Sequence, residues 1–540
     1  MTRPTPQRKS RRITQACDFC HKRGIKCRAA PADASSPGNK SCLTCIEYDQ
    51  ECTRHRQPKK RGTKPRGSEG SHGGGKDRRC QLDNRKIVTA LLDVYLDTIH
   101  PTFPFFCERE LWVGWREGTF PSGSSEYMSL ICMCALSAQH VGKRALFTDD
   151  MAPSDFASLA NDYLQEAVRL VPVDFDSPDI DLIRSYGLLA LLGAQEGDTA
   201  MIHKYLVLYH GMSARFSLHD EPRWPGDTTE CDREVRRRLW WTLYRLEVHT
   251  ACVLGSLIRC PEAHSDVGYP CGTHHSAFIP GRDGKFENWF EGWNLTTDLY
   301  RVLEHAISDF RTRKQNQKSI LHNTHGPSKS REISETLSKI QAELLPHFGS
   351  ATVRSSDSGR NRCGFQAANI LCTIHLARML STVSDEDNLH AACKTAQEMM
   401  QNMEAIPLEY IRAGGSPLVQ QLAGVGHMLI GVSGKHNLSR SDYGNLKGVI
   451  TYMVDFLGHL ENYGNVAVTA KQRLLSRLTD VDRRVSASTQ EITTETGPQL
   501  VCSPSSENLF NDGQDGDVFS TTLFISFTWP FDLPGNERDA

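Results

Sequence analysis

Two stretches of the chain repeat one cysteine spacing. Residues 17–27, CDFCHKRGIKC, and residues 42–52, CLTCIEYDQEC, are both C-x2-C-x6-C, and fourteen residues separate them. Nothing else in the sequence constrains the fold as tightly. Thiolates are soft ligands suited to zinc, and two cysteines three apart reach one ion from a single turn. One tetrahedral zinc takes four ligands, so six cysteines serve two zincs only where two thiolates bridge. A RING or LIM arrangement asks for eight ligands, usually with histidine; His21 and His55 lie nearby but do not repeat with the cysteines. A redox C-x-x-C would stand alone beside a βαβ pattern, which is absent. The remaining twelve of the 18 cysteines are scattered from Cys80 to Cys502. That spread is unlike a short secreted disulfide scaffold and fits buried free thiols.

The formal net charge of −2 conceals an asymmetry. Residues 1–66 hold 17 Lys and Arg against 5 Asp and Glu, while the remainder holds 45 against 59. A basic head on an acidic body points to a polyanionic partner for the head. The two repeats divide along the same line. The first is basic between its cysteines and the second carries Glu47, Asp49 and Glu51. The opening MTRPTPQRKSRR is basic, but no apolar stretch follows it, so it does not read as a secretory signal. No window approaches the apolar length of a membrane span. The expectation is a soluble, intracellular protein without a membrane partner.

The six-cysteine spacing, the basic run HKRGIK and the basic arm behind Cys52 resemble the fungal Zn2Cys6 binuclear-cluster transcription factors. The resemblance implies two Zn2+ ions held by Cys17, Cys20, Cys27, Cys42, Cys45 and Cys52, with Cys17 and Cys42 bridging. It implies a short helix and an extended strand in each half, packed about a pseudo-two-fold, with the first helix in the DNA major groove. His21, Lys22, Arg23, Lys26 and Arg28 then face duplex DNA, where Arg can grip a guanine edge bidentately. The acidic second half would be repelled by phosphate and scaffolds the cluster instead. One departure stands out. The family reads CGG triplets with adjacent basic residues at positions corresponding to Arg23 and Gly24, and Gly24 has no side chain. The loop RAAPADASSPGNKS is turn-rich through Pro31, Pro37 and Gly38 and should leave the ligands undisturbed.

After Cys52, Arg54, Lys59, Lys60 and Arg61 head an arm suited to the DNA backbone or to nuclear import. The phrase CIEYDQEC…KKRG also resembles fungal activators of polysaccharide and sugar catabolism. Residues 67–79, GSEGSHGGGKDRR, read as a flexible linker. From Asn84, Ile87, Leu91, Tyr95 and Ile99 recur at helical spacing, too briefly for a coiled coil, so a homodimer is left open. Leu188–Ala194, Tyr205–Phe216, Val235–Leu254 and Gln366–Leu380 have helical periodicity, which favours an all-α body.

Within that body, residues 234–255, EVRRRLWWTLYRLEVHTACVLG, predict a helix with Asp232 and Glu234 at its start. Val235, Leu239, Leu243 and Leu246 form an apolar stripe widened by Trp240, and Arg236, Arg237 and Arg238 fall mostly on the wet side. This helix, the upstream YLVLYHGMSARFSLHDEPRW and HPTFPFF resemble the middle homology region of the same fungal regulators. The resemblance implies an inhibitory or inducer-sensing domain. Residues 311–333 and 351–362 read as exposed loops or disorder. The tail mixes Phe510, Phe519, Phe524, Phe527, Trp529 and Phe531 with acids, the composition of an activation segment that docks on a coactivator.

The fold class expected is therefore mainly α. Its parts are a basic N-terminus (1–16), a Zn2Cys6 DNA-binding domain (17–52), a basic arm and Gly-rich linker (53–79), a helical regulatory domain (85–485) and a disordered acidic-aromatic tail (486–540). The resemblance implies a zinc-dependent, sequence-specific transcription factor in the nucleus. It would act, as an activator, on RNA polymerase II transcription of a fungal metabolic pathway or secondary-metabolite gene cluster. Double-stranded DNA with CGG-type triplets and transcriptional coactivators are the partners implied. The alternatives are a regulatory interaction protein that keeps the cluster without reading DNA, and a regulator of carbohydrate catabolism. An enzyme is not expected: P-loop, H-E-x-x-H and G-x-S-x-G motifs are all absent.

Overall fold

The computed structural model describes residues 16–23, 25–28, 41–53, 84–146, 153–172, 179–271, 278–280, 286–314, 329–351, 353–385, 389–433, 438–460 and 465–494. Gly24, Arg54, Lys59, Lys60, Arg61, the linker and the acidic-aromatic tail lie outside them. The chain divides into two compact units, Met1–Asp77 and Arg78–Ala540.

Among its described residues the first unit holds two one-turn helices, α1 (Asp18–Lys22) and α2 (Leu43–Glu47). The described part of the second is mainly helical, with one short hairpin. Its first half comprises α3 (Arg85–Val94), α4 (Glu108–Glu117), α5 (Ser125–Gly142), α6 (Pro153–Leu170), α7 (Ile180–Glu196), α8 (Thr199–Arg215) and α9 (Glu230–Leu254). Its second half comprises α10 (Trp289–Lys314), α11 (Lys329–Ala342), α12 (Pro346–Gly349), α13 (Ser358–Asp385), α14 (Leu389–Glu404), α15 (Leu408–Ser433), α16 (Arg440–His459) and α17 (Asn465–Thr494). The hairpin pairs Phe278–Pro280 with Phe286–Asn288, antiparallel, just before α10. It is too short to show as alternation in the sequence.

Helix starts follow local chemistry. Asn84, Ser124, Asp198, Thr229 and Ser439 each accept a backbone N–H of the first turn of α3, α5, α8, α9 and α16. The four periodic segments read from the sequence fall in α7, α8, α9 and α13, with Phe216 as the C-cap of α8. α5 packs on α6 and α7, α10 on α13, and α15 on α13 and α17; α9 touches α7, α8, α10 and α15. A single apolar core runs from Val88 to Val481.

The central place of α9 overturns one expectation. Arg238 is buried at 1% exposure and Glu234 at 0%, so the arginines are not on a wet face. Arg238 lies over the Phe290 ring at 4.5 Å, and Arg236 stacks between Phe216 and Trp224 at 5.2 and 5.7 Å. Arg237 pairs with Glu221, Glu230 and Glu234 at 2.6, 3.2 and 3.1 Å. Where α9 packs on its neighbours, aromatic faces and carboxylates take the place of much of the water around these guanidinium groups.

Two boundaries differ as well. Residues 358–362 are not an exposed loop: they form the first turn of α13, where Arg362 is buried and pairs with Glu108 at 3.0 Å. Helical backbone continues in α17 to Thr494, past residue 485, because the polar Ser/Thr-rich run there still lacks a helix breaker.

Candidate metal centre and nucleic-acid interface

The two cysteine repeats fold alike because they are alike in sequence. Cys17 and Cys42 are the N-caps of α1 and α2, both with extended backbone (φ −64°, ψ 165° and φ −77°, ψ 152°). Ile25 N–H donates to the Cys20 carbonyl at 3.0 Å, and Gln50 N–H to the Cys45 carbonyl at 2.9 Å. The halves also exchange equivalent bonds. Asp18 N–H donates to the Thr53 carbonyl and Leu43 N–H to the Arg28 carbonyl, both at 2.9 Å. Each residue after a capping cysteine thus binds the residue after the other half's third cysteine. That reciprocity is a local two-fold written by a 25-residue repeat offset.

The thiols converge at the centre of this arrangement. Cys17, Cys20, Cys42 and Cys45 are buried, with Cys27 and Cys52 packed against them. The sulfurs of Cys17, Cys20, Cys27 and Cys42 all lie within 4.8 Å of one another, and so do those of Cys17, Cys42, Cys45 and Cys52. Cys17 and Cys42 belong to both groups. Their sulfurs are 3.8 Å apart; Cys17–Cys45 is 3.4 Å and Cys20–Cys42 is 3.7 Å. A tetrahedron with Zn–S of about 2.3 Å spaces its sulfurs by about 3.8 Å, so the donor set fits a thiophilic divalent ion in each group.

Protonation is contested within the cluster. Burial pushes the Cys17 thiol up, but the Cys20 backbone N–H and the neighbouring thiols outweigh it and bring it down to about 6. Burial and hydrogen bonds to Cys17 and Cys42 push Cys20 up to about 12. Bound divalent ions resolve such competition, since coordinating thiols are deprotonated outright.

Around the cluster the charges separate by half. Lys22 ends α1, Arg23 caps it, Lys26 follows on the extended segment, and all three are exposed. Arg23 also lies over the Phe19 ring at 5.8 Å, which supports its stem. Arg28 is exposed too, but it forms an ion pair with Glu47 of the second repeat. The acids of the second repeat, Glu47, Asp49 and Glu51, are exposed. Asp49 occupies the position that matches Gly24 in the first repeat, and its φ of 47° lies in the left-handed region that favours glycine. Ile46 and Tyr48 are also exposed, at 57% and 60%.

A third donor group, Cys107, Glu110 and Cys231, was not singled out from sequence because its members are far apart in the chain. There the Cys231 thiol donates to Glu110 at 2.9 Å, a plain hydrogen bond between neighbouring helices.

Comparisons with known proteins agree with this chemistry. Residues 92–343 match the family model of the fungal specific transcription factor domain. The "Zinc finger protein grt1" of Schizosaccharomyces pombe is 26% identical over 246 residues, covering 43% of this chain and 37% of that protein. An "Acurin A biosynthesis cluster transcription regulator" of Aspergillus aculeatus is 45% identical over 49 residues, 9% of this chain and 7% of the relative. The "Maltose fermentation regulatory protein MAL33" of Saccharomyces cerevisiae is 39% identical over 56 residues, 10% of each chain. The matches thus span well under two thirds of these relatives. With the six clustered thiols, they support a fungal Zn2Cys6 transcription factor whose residues 92–343 are similar to the fungal specific transcription factor domain.

Proposed function

We propose that this protein is a zinc-dependent, sequence-specific DNA-binding regulator of RNA polymerase II transcription that acts in the nucleus as an activator. Its targets would be the genes of a fungal metabolic pathway or secondary-metabolite cluster. The observation that carries the reading is the pair of four-thiol groups sharing Cys17 and Cys42. One zinc would be held by Cys17, Cys20, Cys27 and Cys42, the other by Cys17, Cys42, Cys45 and Cys52. The ions are structural here: among the described residues of this unit the apolar core is the thiols with Phe19 and Ile25 against them, and metal binding supplies folding free energy.

Lys22, Arg23 and Lys26 are the described residues available to duplex DNA, with Arg23 the base-reading candidate. Arg28 can reach a phosphate only by giving up Glu47, so we assign it a lesser role. The arm residues Arg54, Lys59, Lys60 and Arg61 would follow the backbone, and the tail would recruit a coactivator. The names of two relatives, a biosynthesis-cluster regulator and a maltose fermentation regulator, support a metabolic target.

The test is selection of random duplexes on the zinc-loaded full-length chain, with metal content measured alongside. Enrichment of CGG-like triplets and two zincs per chain are expected. Binding that only fades with salt, with no enriched sequence, would reduce the head to a phosphate anchor.

A further inference from the structure

Inside the helical unit a cavity lies between α7, α8, α9, α13 and α15. α15 is broken where it lines the cavity, at Gly414–Leu418. Gly415 has φ 67° and ψ −158°, and Pro417 follows, so the chain leaves the helical path and resumes it a residue later. The detour is fixed from α7, where Gln195 accepts the Ser416 N–H through its side chain and the Ser416 hydroxyl through its carbonyl, both at 3.1 Å. The apolar part of the wall includes Leu191, Leu206, Leu246, Val253 and Leu418.

One wall is polar, and its polarity is one-sided. Arg245 and His249 stand one turn apart on α9, both line the cavity, and they are only 4% and 8% exposed. Arg245 is supported by the rings of Trp293 and Tyr300 at 5.0 and 5.4 Å, but no carboxylate pairs with it among the described residues. Its Nε and Nη1 have no hydrogen-bond partner, and neither has Nε2 of His249. The Gln421 amide donates to Tyr300 Oη at 2.9 Å and to His249 Nδ1 at 3.4 Å. Two guanidinium N–H groups without a partner among the described residues therefore belong to the cavity wall with a fixed positive charge, His249 has the Gln420 side chain beside it, and the wall's other polar residues, Asn369 and Tyr300 among them, are neutral. Unsatisfied buried donors and an unpaired buried cation are each costly, and structures keep them where a ligand completes the set.

We propose that this cavity is a binding site for a small organic monocarboxylate, its carboxylate held by Arg245 and His249 and its apolar body lying against the leucines of α7, α8 and α15. A single fixed cation matches a single negative charge, and the apolar remainder of the wall matches a hydrocarbon or aromatic body. A phosphate dianion would enter with one charge uncompensated. The inference concerns the helical unit alone and does not rest on the zinc and DNA reading, so either can fail without the other.

Calorimetric titration of the full-length protein with 3-phenylpropanoate, hexanoate and benzoate, and with 3-phenylpropan-1-ol and phenyl phosphate, tests this. At least one carboxylate is expected to saturate at millimolar concentration or below. For the 3-phenyl pair, the acid should bind at least about tenfold tighter than the alcohol, the value of a charge-assisted hydrogen bond. Arg245→Met should abolish that preference while leaving the weak binding of the alcohol. Ala194→Phe, which fills the cavity from α7 with Arg245 in place, should abolish both. No saturable binding by any carboxylate, equal binding of acid and alcohol, or tighter binding of the phosphate would each overturn the proposal. The acid–alcohol contrast needs no variant, so an unfolded Arg245→Met protein leaves the test intact.

Discussion

Replacing Glu234 by alanine should be the most damaging single change on α9, and far worse than replacing the arginine it faces. Glu234 is fully buried and lies 3.7 Å from the equally buried Arg238. Every guanidinium nitrogen of Arg238 lacks a hydrogen-bond partner, so Glu234 and the Phe290 ring are what balance its charge. At 3.7 Å and an effective dielectric of about 20 the attraction is about 4–5 kcal/mol. Breaking such a pair from one side costs about 3–5 kcal/mol, because the remaining charge stays buried. For a helical unit of about 400 residues, with an unfolding entropy of about 2.1 cal/mol/K per residue, that cost lowers Tm by about 4–6 °C. Arg238→Met behaves differently. It leaves Glu234 with Arg237 at 3.1 Å and with the Cys271 backbone N–H at 3.1 Å, so the carboxylate keeps its partners and Tm should fall by at most about 2 °C. The double variant should be more stable than Glu234→Ala alone, since it removes the stranded cation. Thermal melts of the four proteins followed by circular dichroism at 222 nm measure all of this. If Glu234→Ala melts with the wild type, or if the double variant is as unstable as the two single losses combined, the buried pair is not balanced as described.

Acidification provides an independent check. Burial holds His140 and His375 down to about 4 and His427 down to about 3. Each stays neutral in the folded chain while the unfolded chain takes up a proton near pH 6.5, so stability is complete above that value and is lost as pH falls below it, by up to about 1.4 kcal/mol per pH unit for each histidine. Melting temperatures flat between pH 7 and 5 would contradict this. Gly364→Ala should cost about 1–3 kcal/mol, because a Cβ there would sit 2.4 Å from Cζ of the packed Tyr410 ring; an unchanged denaturation midpoint would mean that ring moves freely. Arg23→Ala should relax sequence preference by about 1–3 kcal/mol at one base position in a binding titration, whereas Lys60→Ala should weaken all duplexes alike and lower the salt slope by about one.

What the sequence revealed and what it concealed divide by range. The cysteine cluster was legible because metal chemistry fixes ligand type and spacing within a few residues, and the exact repetition displays the two-fold before any coordinates do. The helices were legible because a buried stripe recurs every three or four residues. The surroundings of α9 were not, because a helical wheel assigns arginine to water by its type. Whether a guanidinium meets water or the face of Phe290, Trp293 or Trp289 is decided by a helix about 50 to 70 residues away along the chain. A signal was present nonetheless. The run WFEGW at 289–293 carries three aromatic rings within one turn and a half, far more than an ordinary amphipathic helix needs, and RRRLWW and RNRCGF carry the cations to match. The same holds for the break in α15. GGSP at 414–417 is a strong breaker inside an otherwise apolar helical run, and such a run tolerates a break only where the freed backbone finds a partner, which Gln195 provides. Where a sequence spends buried charge or interrupts a core helix without local compensation, the compensation lies across the fold; where it is absent there too, as at Arg245, a ligand is the remaining candidate.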